Sequence, residues 1–136
     1  MSLADALCRR LILDFACFND QREFQRLGAL FHEDGEFQRP LTPDITLSGR
    51  TAIVQAMQAK PPDQRSLHVC TNIVLLRDSA QRMTARTRFT VYGYQAAESA
   101  PDAHSLHLGW YHDLFTLRAG QWRIQHRRGH LQAALL

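Results

Sequence analysis

Residues 15–40 read FACFNDQREFQRLGALFHEDGEFQRP, and this stretch decides the fold more than any other part of the chain. Apolar residues at helical spacing stand on both sides of Asn19 and Asp20, so the pattern predicts two helical segments joined at an acidic corner. The second segment ends near Gly35 and runs into a short strand, 36–39. This layout is typical of a small cone-shaped α+β domain with an internal pocket.

Helical spacing of apolar residues predicts three helices in the first half of the chain. The first runs from about residue 3 to 18, and the third from about 50 to 59, where two prolines end it. Either Asn19 or Asp20 can cap the second helix. The three apolar faces are Leu7, Leu11, Phe15 and Phe18; then Phe24, Leu27, Leu30 and Phe31; then Ile53, Val54 and Met57.

The second half of the chain changes to a period of two residues. Four segments rich in Val, Ile, Thr, Phe and Tyr are separated by turn signals and predict an antiparallel meander: 66–77, 82–95, 105–118 and 121–131. We therefore expect one α+β domain over residues 1–136, a cone-shaped barrel of a curved antiparallel sheet covered by about three N-terminal helices, with an internal pocket.

The composition argues against several classes of protein. No apolar run approaches the roughly 20 residues that cross a bilayer, so we expect a cytoplasmic protein with no membrane partner. The arginines are scattered rather than clustered with aromatic residues, which argues against a nucleic-acid partner. The three cysteines, Cys8, Cys17 and Cys70, form no CxxC pair and read as reduced, buried packing residues.

Strand alternation predicts which polar side chains share the pocket. In the last strand Trp122 and Ile124 mark the buried face, which sends Arg127 outward. In 66–77 the phase is open: His68, Cys70 and Asn72 face the pocket if Val74 and Leu76 do. The predicted concave surface holds His68, Asn72, His107, Tyr111, Asp113, His126, Arg128 and His130, with Asp20 entering from the helical side.

This density of titratable groups indicates acid-base chemistry. Histidine can both take and give a proton, which suits elimination or isomerisation next to a carbonyl. Structural interpretations stay open, since Asp20 can be a helix cap and Asp113 with Arg128 a buried ion pair. The chain has no HExxH or CxxC motif, so we expect neither a metal site nor another cofactor.

Four runs, in order, carry a family resemblance: LGALFHEDGEFQRP, LSGRTAIVQAM, SLHVCTNIVL and GWYHDLFTLRAGQWRIQHR. Together they resemble the SnoaL-like branch of the nuclear transport factor two-like superfamily, over nearly the whole chain. The resemblance implies a fold that hosts dehydratases, isomerases and cyclases as well as non-catalytic subunits.

Within that superfamily the segment EFQRL resembles the DWDRL segment of the scytalone dehydratases. This register puts Asp20 on the catalytic aspartate of that family and His68 on one of its two catalytic histidines. The second histidine falls on Leu108 without a gap, or on His107 after a shift of one residue. The water-positioning tyrosine of the family is replaced here by Asn19.

A comparison with the ketosteroid isomerases gives a weaker match. The position of their base is Arg39 here, and the tyrosine of their oxyanion hole falls on Phe15. Only Asp113 matches, at the oxyanion-hole aspartic acid. The resemblance therefore does not imply a steroid isomerase of that mechanism.

We expect a cofactor-independent, dehydratase- or cyclase-like lyase or isomerase that acts on a small, apolar, oxygenated ring compound. The predicted catalytic residues are Asp20, His68, His107 and Asp113. The predicted substrate-binding residues are Phe15, Asn72, Tyr111, His126, Arg128 and His130. The alternative is a non-catalytic ligand-binding module, or the small (beta) subunit of an aromatic-ring-hydroxylating dioxygenase.

The expected assembly is a homodimer through the outer face of the sheet. That face is predicted to carry Arg86, Arg88, Tyr92, Arg118, Arg123 and Arg127.

Overall fold

The computed structural model describes residues 1–96 and 103–135 as three helices and one six-stranded sheet. The helices are α1 (Leu3–Asp20), α2 (Phe24–Gly28) and α3 (Arg50–Gln58). The strands are β1 (Phe31–Gln38), β2 (Thr46–Ser48), β3 (Gln64–Ser79), β4 (Arg82–Gln95), β5 (Ser105–Arg118) and β6 (Gln121–Leu135). The predicted α+β architecture, with three helices against a curved sheet, is confirmed.

Helix α1 starts at a capping box and runs two residues further than predicted. The Ser2 hydroxyl accepts from the Asp5 backbone N–H, and the Asp5 carboxylate accepts from that of Ser2, both at 3.1 Å. The helix continues through Asn19 to Asp20, and Glu23, not Asp20, precedes α2. The interpretation of Asp20 as a cap of the second helix is therefore wrong, and its carboxylate is available for other contacts.

The second helix is much shorter than predicted, and the strand after it starts earlier. Helical spacing continues through Leu30 and Phe31, yet α2 ends at Gly28 and β1 begins at Phe31. Phe31 pairs with Ile124 of β6, and its ring lies fully buried in the core. Pairing with a strand distant in sequence thus outweighs the local helical pattern.

The sheet is mixed and open rather than a closed antiparallel barrel. Its strand order is β2-β1-β6-β5-β4-β3, so β2 and β3 are its edges. Strands β3 to β6 form the predicted antiparallel meander, whereas β1 joins β6 in parallel and the short β2 was not predicted. The core lies between the helices and the inner face of the sheet, and is lined by residues such as Ile12, Phe15, Met57, Met83 and Phe115.

Two β-bulges reverse the side-chain alternation that the sequence predicted. In β6, Phe115 pairs with Ile124 and Leu114 with His126, so Gln125 is an extra residue. Beyond this bulge Arg127 faces inward, with 1% of its surface exposed, and Arg128 faces solvent. The predicted inward position of Arg128 and outward position of Arg127 are therefore wrong.

The second bulge lies in β3 at Asn72, where the pairing shifts between Thr71 and Val74. Asn72 has φ of +52°, a left-handed conformation that asparagine tolerates better than most residues. His68 before the bulge faces inward, but Val74 and Leu76 after it are exposed. The set of alternate residues that face inward therefore changes at the bulge and is not the same along the whole strand.

The cysteines occupy three different environments. Cys8 is buried in the core, Cys70 is partly buried on the inner face of β3, and Cys17 is exposed, which corrects the expectation that all three are packed inside. All three are free thiols. Within the described ranges, the helices include none that is long and apolar enough to cross a membrane.

Candidate active site

A cavity of about 340 Å³ opens between the helices and the inner face of the sheet. Its apolar wall comes from every layer of the fold: Phe24, Phe37, Met57, Phe89 and Val91. A cavity of this size, with an apolar wall and polar side chains around it, matches the usual form of a small-molecule site.

Asp20 and His68 form a hydrogen-bonded pair beside this cavity. The Oδ1 of Asp20 lies 2.5 Å from Nδ1 of His68, and its Oδ2 accepts from the His68 backbone N–H at 2.9 Å. The Ser66 hydroxyl donates to Oδ1 at 3.1 Å. The aspartate side chain is 18% exposed and the histidine side chain 7%. Asp20, the last residue of α1, is thus bound to both the backbone and the imidazole ring of His68 in β3.

These contacts set the tautomer of His68. A carboxylate only accepts hydrogen bonds, so Nδ1 carries the proton that lies between the two residues. The ring nitrogen that remains for a ligand is Nε2, and His68 lines the cavity. Asp20 also stabilises the imidazolium that forms when Nε2 takes a second proton. This is the arrangement of an oriented general base.

His107 stands on the same face, two strands away from His68. Register pairs His68 with Val91 and Val91 with His107, and all three side chains line the cavity. Two strand spacings separate the histidine backbones by roughly 10 Å. A small ring compound above Val91 can therefore contact a histidine on each side.

Tyr111 is buried between the cavity and the core. Only 3% of its surface is exposed, and burial raises the pKa of its hydroxyl to about 12. It therefore stays protonated at neutral pH and acts as a hydrogen-bond donor rather than as a base. The guanidinium of Arg127 lies 3.8 Å from the centre of its ring.

Asp113 lies behind Tyr111 and outside the cavity wall. It accepts two hydrogen bonds from Arg127, from Nε at 2.7 Å and from Nη2 at 3.1 Å, and both side chains are essentially unexposed. The buried pair that the sequence placed between Asp113 and Arg128 is therefore formed with Arg127. Asp113 therefore holds Arg127, whose guanidinium lies against the Tyr111 ring, and does not itself line the cavity.

Five predicted substrate-binding residues lie elsewhere. Phe15 packs edge-on against Phe31, Phe37 and Tyr111 in the core. Asn72 sits exposed at the β3 bulge. The other three share the outer face of the sheet: His126 bonds Gln38 at 2.8 Å, Arg128 is exposed, and His130 stacks on Trp110. The bulge after Ile124 explains these three errors, because it moves each side chain to the opposite face.

Several cavity residues were not predicted as site residues: Arg22, Arg39, Lys60, Arg65, Ser66 and His104. Most of them lie at the ends of helices and strands, where periodicity carries no information about direction. For Lys60 a signal existed, since it is the one lysine of the chain and directly precedes the prolines that end α3.

Neither a thiolate nor a metal ion is indicated by the described residues. Burial raises the pKa of the Cys70 thiol, which keeps it protonated and weakly nucleophilic. No group of three or more His, Cys, Asp or Glu side chains within residues 1–96 and 103–135 is arranged to hold a metal ion.

Residues 2–128 match the SnoaL-like domain, so the chain belongs to the SnoaL-like family. The resemblance seen in the sequence is thereby confirmed. None of the curated proteins matches the chain significantly.

Solved structures of similar fold include enzymes of the elimination type. A proposed scytalone dehydratase from Novosphingobium aromaticivorans has a TM-score of 0.83 at 20% identity, with 98% of this chain and 87% of that chain covered. The hexachlorocyclohexane dehydrochlorinase LinA-type3 from Novosphingobium barchaimii has a TM-score of 0.83 at 19% identity, covering 97% and 88%. ActVI-ORFA from Streptomyces coelicolor has a TM-score of 0.76 at 22% identity, covering 95% and 98%. At these identities the likeness establishes the fold alone.

Proposed function

We propose that the protein is a cofactor-independent lyase or isomerase in which His68 is the general base. The observation that carries this proposal is the Asp20–His68 pair, which leaves Nε2 of a tautomer-fixed histidine beside an apolar cavity. The names of the similar structures, a dehydratase and a dehydrochlorinase, support the same type of reaction. The substrate is a small, apolar, oxygenated ring compound.

The reaction begins with proton removal from the carbon next to a carbonyl. Nε2 of His68 takes this proton, Asp20 stabilises the resulting imidazolium, and the neutral Tyr111 hydroxyl donates to the oxygen on which negative charge develops. In an elimination the electron pair then forms a carbon–carbon double bond as hydroxide leaves the neighbouring carbon. His107 supplies the proton that turns the leaving hydroxide into water. In an isomerisation the proton instead returns to another carbon.

The first step can be tested with a simple ketone. We expect the protein to accelerate the exchange of the C2 protons of 1-tetralone in D₂O, followed by proton NMR. His68→Gln removes the base and keeps a polar side chain of similar size, so the rate should fall by about 10²- to 10⁴-fold.

The matched control is His112→Gln, which changes an exposed histidine on the outer face of the sheet. It should exchange 1-tetralone at the wild-type rate. Exchange that is equally fast in His68→Gln and wild type, with the fold intact by circular dichroism, would contradict the proposal.

We also propose that a second copy of the chain covers the outer face of the sheet. Large apolar side chains on this face are between 38% and 63% exposed: Leu67, Val69, Val74, Leu76, Tyr92 and Leu108. Extensive exposed apolar surface is uncommon on monomers. Arg86 and Arg88 flank it, with their guanidinium groups 5.0 and 5.5 Å from the ring centre of Trp110, whereas Arg127 is inside the core and takes no part.

Light scattering tests this assembly. The wild type should have the mass of a dimer, and the double variant Leu67→Glu, Val74→Glu that of a monomer. A wild-type protein that is monomeric alone would favour the alternative function, a subunit whose partner is another protein.

A further inference from the structure

The cavity wall carries positive charge that the proposed chemistry does not use. Arginine and lysine side chains reach it from four separate segments of the chain: Arg22, Arg39, Lys60 and Arg65. Among the residues that the structure describes, no aspartate or glutamate lines this wall. None of the four cations takes part in an ion pair formed within those residues.

One of these cations has a structural task. Arg22 follows α1 and donates to the backbone oxygens of Lys60, at 2.8 Å, and Gln64, at 3.1 Å. It thereby fixes the end of α3 and the start of β3 against the end of α1. Its guanidinium holds Lys60 in place, and its charge remains beside the cavity.

The other three cations have no such task within the described parts of the chain. The side chains of Arg39 and Lys60 form no hydrogen bond there, and Nε of Arg65 is buried without a partner. A buried donor without a partner, such as Nε of Arg65, destabilises the fold unless a ligand satisfies it, and Arg39 and Lys60 bring two further positive charges to the same wall. Their joint position at one cavity indicates a negatively charged ligand.

The neighbouring charges and burial change the pKa of Lys60. Burial, then Arg39, then Arg22 lower the pKa of its ammonium to about 8, while Asp20 acts in the opposite direction. Asp20 itself is bound to His68 and Ser66 and does not pair with the lysine. The group is thus still largely protonated at pH 7, and an anion beside it would relieve the repulsion.

We propose that the ligand of this cavity carries an anionic oxygen group, held by Lys60 and Arg39 with support from the charge of Arg65. Its apolar ring then lies on Phe24, Phe37 and Phe89 and extends to His68. The inference names the substrate class of the same cavity and rests on the proposed function. A carboxylate and a phosphate ester share the required chemistry, and the apolar wall favours the less strongly hydrated carboxylate.

Binding of three naphthalene probes by isothermal titration calorimetry tests the proposal: 2-naphthoate, 2-naphthyl phosphate and the neutral 2-naphthylmethanol. At pH 7 we expect 2-naphthoate to bind at least tenfold more tightly than 2-naphthylmethanol. Lys60→Met should remove most of this preference, whereas Lys60→Arg should keep it. Tighter binding of the phosphate than of the carboxylate would identify a phosphate ester as the ligand class.

Two further variants separate this inference from the proposed function. Arg10→Met removes one positive charge from the exposed side of α1, far from the cavity, and should keep the wild-type preference. His68→Gln should abolish proton exchange yet also keep the preference for the anion. Equal affinity for 2-naphthoate and 2-naphthylmethanol in the wild type, or an undiminished preference in Lys60→Met, would overturn the proposal.

The single lysine allows a direct readout. In protein labelled with ¹³C-lysine the only lysine signal is that of Lys60, and its titration reports the ammonium group. Arg22, Arg39 and Asp20 act on the Lys60 charge. The other titratable side chains that line the same cavity are Arg65, His68, His104 and His107. Glu98 and Asp102 lie outside the described residues. Saturating 2-naphthoate should raise the lysine pKa, and affinity should fall as pH rises above it. An unchanged titration curve would overturn the proposal.

Discussion

Asp113 and Asp20 are each bound to a basic side chain on the inner side of the fold, and the surroundings of the two pairs differ. Asp113 and Arg127 are 0% and 1% exposed, and the guanidinium contacts the rings of Phe15 and Tyr111. Asp20 and His68 lie at the cavity, 18% and 7% exposed. In the first pair both carboxylate oxygens accept from the guanidinium inside the core, whereas the second pair leaves one ring nitrogen of His68 for a ligand. Burial, more than residue type, separates this structural pair from the pair that we propose to be catalytic.

The largest expected effect comes from breaking the fully buried pair. Arg127→Met leaves the Asp113 charge without compensation and should lower the free energy of unfolding by about 3–5 kcal/mol, measured by urea denaturation. The control Asp14→Asn breaks the exposed pair with Arg10 and should change it by less than about 1 kcal/mol. The double variant Asp113→Leu, Arg127→Met should recover part of the loss. A loss in Arg127→Met as small as that of the control would contradict the assignment of a core pair.

Breaking the cavity pair should change the chemistry far more than the stability. In Asp20→Asn the amide oxygen still accepts from the His68 backbone, but its NH₂ group opposes the tautomer in which Nδ1 carries the proton. We expect the exchange rate of 1-tetralone to fall about 100-fold while the urea midpoint stays near that of the wild type. A large loss of stability in Asp20→Asn without a change in the exchange rate would show that the Asp20–His68 pair is structural.

Lys60 sharpens the comparison, because it is a partly buried cation without a carboxylate partner among the described residues. Its pKa is lowered to about 8, so the unfolded chain binds more protons at this site between pH 8 and the usual lysine pKa of 10.5. Stability due to this group therefore rises with pH across that window. The free energy of unfolding of the wild type, minus that of Lys60→Met, should increase by on the order of 1 kcal/mol from pH 8 to pH 10. A constant or falling difference would show that the ammonium is not destabilised by folding.

The sequence predicted the bounds of the helices and strands better than the face of the sheet to which each side chain points. The four long strands and α3 lie within a few residues of the expected ranges, because turn residues and prolines mark their ends. Asp20, His68 and His107 were placed near one another by the family resemblance and by strand phase. Their catalytic roles remain predictions.

The errors arise where one extra residue changes the phase. Gln125 in β6 and Asn72 in β3 interrupt the period of two, and the residues that follow each bulge face the side opposite to the predicted one. Arg127 and Arg128 are adjacent arginines, so composition gives no means of choosing between them. The cations of the cavity lie at the ends of elements, and only the packing of those ends brings them together.

The parallel pairing of β1 with β6 has a consequence for synthesis and folding. Phe31 pairs with Ile124 and Gln38 with Arg128, residues separated by about 90 positions along the chain. Until the ribosome has added the second member of each pair, the only strand that β1 can join is the three-residue β2. During that interval the N-terminal third of the nascent chain exposes surface that chaperones recognise. Although β1 is the first strand to be synthesised, its pairing with β6 thus forms only after the last strand has been synthesised.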